Sequence, residues 1–133
     1  MIPELLNLGD FPVAAASTQT GTPLVELNGM SRLALSARFA YGSGGTTVIA
    51  IIETSLNQGT TWIEIARFDF ATTGLEKVMN LSADSVVSSP YTIIDLVAEG
   101  GVTGILGDRL RAVVTSTGTY TGSTLLALRG MAS

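Results

Sequence analysis

The chain has 133 residues, no cysteine, no histidine, and a net charge of −4 from 7 Lys+Arg against 11 Asp+Glu. One hydrophobic core suffices at this length. The missing thiols exclude a disulfide framework, the missing imidazoles remove the commonest general base and transition-metal ligand, and the acidic balance disfavours a nucleic-acid binder. Hydrophobic residues make up 46% and charged residues only 14%, against roughly 25% charged in an ordinary soluble domain. The longest apolar runs, residues 13–16 and 48–52, are far too short to span a bilayer. The spare apolar surface is therefore expected to meet partner subunits. Residues 1–10 carry Glu4 and no basic residue ahead of their apolar positions, which does not read as a secretory signal. No membrane, cofactor, metal or catalytic residue is expected.

Residues 1–23 hold Pro3, Pro12 and Pro23, a small-residue run and the polar stretch 17–22. They read as an extended N-terminal arm ahead of a domain spanning 24–133. From Leu24 onward, short β-branched segments alternate with Gly, Asn, Asp and Ser clusters, the pattern of an all-β sandwich. The clearest strand is 32–41, where Leu33, Leu35, Ala37, Phe39 and Tyr41 alternate with Arg32, Ala34, Ser36, Arg38 and Ala40. A glycine-rich turn leads into 46–54, whose middle is apolar on both faces and so expects cover on both. Further strands are expected at 24–27, 62–70, 75–81, 91–97, 108–116 and 123–129. The total of about eight suits a two-sheet sandwich of jelly-roll or related type. The glycine-rich stretch 98–107 runs into a strand and lacks the Lys-Ser/Thr pair of a phosphate-binding loop.

Between two of these strands stands Ser55-Leu56-Asn57-Gln58-Gly59-Thr60-Thr61-Trp62. Its Ser-x-Asn-x-Gly-x-Thr-Trp pattern resembles the Asp-box of sialidases and related β-propellers, with Asn57 where the aspartate usually stands. The resemblance covers eight residues and implies a structural turn: Asn57 accepts backbone N–H groups, Gly59 takes a positive φ, and Trp62 packs beneath. The hairpin, together with the stretches that begin at Pro90, Ile105 and Ser123, also resembles small β-rich structural proteins of tailed phages and related particles, from about residue 53 to 130. That resemblance implies a non-enzymatic virion component, head decoration first and tail, tail-fibre or baseplate second, with the major capsid protein or another virion protein as partner. It brings no catalytic residues.

The acids are scattered and form no calcium-type loop. Glu53 and Glu64 flank the hairpin as prospective cross-strand neighbours, a like-charge pair for which Arg67 or Arg38 is the expected partner. Arg109 and Arg111 fall on one strand face, opposite Leu110 and Ala112, where two guanidinium groups suit a carboxylate, either within the chain or on another. Residues 125–128 are apolar on both faces, which marks Leu125 and Ala127 as a candidate interface and a homo-oligomer as the expected state, with a trimer preferred. A carbohydrate-binding module using Trp62, Tyr91 or Tyr120 is the alternative from a different class, and it requires exposed aromatic faces. Attachment through the arm implies that a chain lacking residues 1–20 folds but no longer binds particles.

Overall fold

The computed structural model describes residues 2–133 and is all-β. Its strands are β1 (Glu4–Pro12), β2 (Ser17–Thr20), β3 (Arg32–Ala40), β4 (Ser43–Gly44), β5 (Thr47–Ser55), β6 (Ile63–Phe70), β7 (Leu75–Ser82), β8 (Arg109–Thr117), β9 (Tyr120–Thr121) and β10 (Leu125–Ala132). Two four-stranded sheets, ordered β1-β10-β3-β7 and β2-β8-β5-β6, form a β-sandwich, and β4 and β9 make a small ribbon at one end. All the pairings are antiparallel.

The order follows from one long hairpin rolled on itself. Its tip is the β5–β6 pair; behind the tip β3 pairs with β7, β2 with β8, and β1 with β10. Rolling then brings β10 beside β3 and β5 beside β8. Period-2 alternation makes this possible, because each strand buries one face. In β3 the core residues are Leu33, Leu35, Ala37 and Phe39; in β5, Val48, Ala50 and Ile52; in β8, Leu110, Ala112 and Val114; in β10, Leu126 and Leu128. Phe39 stacks on Phe70 with ring centroids 5.2 Å apart and meets the edge of Tyr120 at 6.0 Å, closing one end of the sandwich. The Tyr120 hydroxyl donates to the Ala71 carbonyl at 2.7 Å.

The segment expected as an arm is extended, but it is part of the sandwich. Residues 4–12 pair with β10 along their whole length, 17–20 pair with β8, and Leu6, Leu8, Phe11 and Val13 are buried in the common core. Proline and small residues permit this because β1 and β2 are edge strands, where one row of backbone groups needs no partner. Residues 24–27 form no strand: Leu24 makes an isolated bridge to Leu110, and Glu26 takes a positive φ.

A second correction concerns residues 91–97, which are not a strand. The edge of β6 they would have joined is taken by the glycine-rich stretch: Arg67 N–H donates to the Gly100 carbonyl and Val102 N–H to the Ile65 carbonyl, both at 2.9 Å. Only Leu96 of 91–97 is buried, and Ile93, Ile94 and Val97 remain exposed.

The other edges are guarded by different means. The β1 edge is broken by a bulge between Asn7 and Gly9, β7 carries Glu76 and Lys77, and β2 has only four residues. Long flat edges of this kind would otherwise template chain-to-chain pairing.

Candidate binding site at the β5–β6 hairpin

The hairpin at the tip of the roll is organised by its own side chains. Ser55 Oγ accepts from Gly59 N–H at 2.8 Å and donates to Asn57 Oδ1 at 3.0 Å, while Asn57 Oδ1 also accepts from Thr61 N–H at 2.7 Å. Gln58 and Gly59 both take positive φ, 59° and 90°. Trp62 folds back so that a side chain at Gly59 would touch its ring at 3.5 Å.

One buried hydroxyl extends the order into β8. Thr54 Oγ1 accepts from Gly107 N–H at 2.8 Å and donates to the Arg109 carbonyl at 3.0 Å. The strand start that presents Arg109 and Arg111 is thereby clamped to β5. Sequence reasoning passed over Thr54 and Gly107, since a buried threonine and a loop glycine carry no signal until their partner strand is known.

Arg109 and Arg111 share the outer face of the second sheet, yet their environments differ. Arg111 Nε donates to Glu53 Oε1 at 2.7 Å, and its guanidinium lies 4.3 Å from the Trp62 ring centroid. Among the described residues no carboxylate comes within ion-pair distance of Arg109. Its Nε is buried with no hydrogen-bond partner. Further along this face Arg67 grips Asp69 with two 2.9 Å hydrogen bonds and donates to the Leu96 carbonyl at 2.8 Å, pinning the 91–97 segment to the sheet.

Glu53 and Glu64 are cross-strand partners. Arg111, rather than Arg67 or Arg38, neutralises Glu53, because β8 lies directly beside β5 and Arg67 is taken by Asp69. Glu64 accepts from Leu96 N–H at 2.9 Å, and its carboxyl is pushed above the usual carboxylate range, first by burial and then by Asp95 and Glu53, against the pull of the Leu96 bond. A carboxyl raised on folding stabilises the native state most at low pH, and that contribution is lost as pH rises through the raised value. Glu64→Gln keeps an acceptor for Leu96 and removes the charge. It is expected to raise stability at about pH 7 by up to about 1 kcal/mol and to leave it unchanged at about pH 3, read from thermal melts.

No family model matches this chain, and a search of curated proteins returns no significant relative. The site therefore stands on its own geometry.

The remaining residues singled out in the sequence lie elsewhere. Leu125 and Ala127 are on the outer face of the first sheet, half-buried and in register with Pro12 and Ala40, and with Asp10 and Arg38. Tyr120 is buried, Tyr91 packs against the core with its hydroxyl buried and unpartnered, and Trp62 is half-buried over Arg111. They make no exposed aromatic row. No group of three or more His, Cys, Asp or Glu side chains is placed to hold a metal ion among the described residues.

Proposed function

We propose that the protein is a non-enzymatic structural component of a tailed-phage or phage-like virion, a head-associated decoration protein that self-associates and attaches to the shell. The observation that carries this reading is the outer face of the first sheet. There Leu5, Val78 and Met131, 78%, 77% and 48% exposed, rim an apolar hollow of about 380 Å³ floored by Ala34 and Gly130. A contiguous apolar patch with a polar rim is the mark of a protein-binding surface, and three such side chains each gain about 1.5–3 kcal/mol on burial. Leu125 and Ala127 continue the same face along β10.

Two further points support it. The rolled-hairpin strand order is that of jelly rolls, a fold found in viral capsid and lectin domains, although fold alone does not decide function. The hairpin and the segments after it resemble phage structural proteins. Closed cyclic symmetry is the usual outcome of self-contact, and a trimer suits a three-fold position on an icosahedral shell.

The wild type is expected to run as an oligomer by light scattering at micromolar concentration. Val78→Glu with Met131→Glu is expected to yield monomers with an unchanged β-type circular dichroism spectrum. A monomeric wild type refutes self-association, and failure to find a tagged chain in purified particles by electron microscopy refutes the virion assignment.

A further inference from the structure

The hairpin end of the second sheet holds a cation without a counter-charge. Arg111 is neutralised by Glu53 and stacked on Trp62, whereas Arg109, two residues earlier on the same face, has no carboxylate within ion-pair distance among the described residues. Part of the Arg109 guanidinium has nevertheless lost its water, because Nε is buried and unpartnered. A desolvated charge of this kind is costly unless an opposite charge meets it.

The group is also held in place. Its backbone is clamped through Thr54, and a side chain at Gly59 would begin 3.7 Å from Arg109 Nη1 and 3.5 Å from the Trp62 ring. Because position 59 is a glycine, no side chain projects from the turn between Arg109 and the indole. One guanidinium with an aromatic wall matches a planar monoanion, which it grips by two parallel hydrogen bonds. The surrounding charges select for low charge on the ligand. Asp108 precedes Arg109, Glu64 lies on β6 one strand beyond the neighbouring β5, and the chain carries −4 overall, so a dianionic phosphate meets more repulsion than a carboxylate.

We propose that Arg109, walled by Trp62 and Gly59, is a carboxylate-binding site that takes an acidic side chain of a partner protein. The site lies on the opposite sheet from the self-association face and does not depend on the virion reading.

Trp62 is the only tryptophan in the chain and adjoins the site, so its fluorescence reports binding directly. Titration at low ionic strength with a terminally blocked Gly-Glu-Gly peptide, which carries a single carboxylate, is expected to give a saturable change in Trp62 emission. Arg109→Gln is expected to weaken that binding at least tenfold, while Arg129→Gln, on the other sheet, leaves it unchanged. Should Arg109→Gln lose the β-type circular dichroism spectrum, Arg109→Lys provides the comparison; it keeps the charge, loses the two-bond geometry and is expected to bind several-fold more weakly. Glucuronate in a parallel titration distinguishes the source: binding of the sugar acid alone supports the carboxylate site and overturns the protein side chain as its ligand. Sulfate binding as strongly as either carboxylate, no saturable change with any carboxylate, or equal affinity in the Arg109 variants overturns the site itself.

Discussion

A chain lacking residues 1–13 is expected not to fold. Four of the deleted side chains, Leu6, Leu8, Phe11 and Val13, lie in the common core. At about 1.5–3 kcal/mol each, their loss removes roughly 6–12 kcal/mol, the size of the whole stability of a domain at 5–15 kcal/mol. The deletion also strips β10 of its β1 partner, leaving backbone groups from Leu125 to Ala132 without their ladder on one side. Circular dichroism and a thermal melt are the measurements, with loss of the cooperative transition as the expected result. A truncated chain that still melts cooperatively with β-type signal restores the reading of these residues as a separable arm. Attachment through this segment uses the outward side chains of β1, such as Leu5, or its free outer edge, while its inner edge stays paired with β10.

Gly107→Ala is expected to cost about 3 kcal/mol, lowering the melting temperature by roughly 10 °C. A Cβ at this position would overlap the Ser55 carbonyl group. Neither side of that contact can escape by changing rotamer, because Ser55 ends β5 opposite Arg109 and the Gly107 N–H is tied to Thr54. Relief requires the start of β8 to move away from β5. Arg109 would move with it, so the variant is also expected to shift Trp62 emission. Gly74→Ala serves as the control: its nearest neighbour is the Phe39 carbonyl oxygen at 3.4 Å, an ordinary contact, and the change is expected to stay within about 0.5 kcal/mol. Equal melting temperatures for the two variants would show that the close approach at Gly107 is relieved cheaply.

The hairpin and several of the strands can be read locally. Asn57, Gly59 and Trp62 act within eight residues of chain, through an Asx side chain, a positive φ and an aromatic that folds back. The alternation along β3 and β8 is equally legible, because one buried face leaves a period of two in the residues themselves, whereas β5, apolar on both faces in its middle, shows its buried face only in the structure. Residues 91–97 misled for the complementary reason. They have strand-like composition, but a strand needs a free edge, and Gly100 to Val102 already occupy the one nearby.

The all-β class, the absence of thiol and imidazole side chains, and the turn at the tip of the roll follow from the order of residues alone, since each depends on composition or on neighbours a few residues away. Long-range packing instead places residues 4–12 and 17–20 in the sheets, brings Leu5, Val78 and Met131 to one hollow, and pairs Arg111 while leaving Arg109 without a carboxylate among the described residues. These outcomes turn on which strand edges and counter-charges arrive from 50 or more residues away, as Glu53 reaches Arg111 across 58 positions. Period-2 patterning says which face a residue takes, and it is silent about which strand will lie beside it.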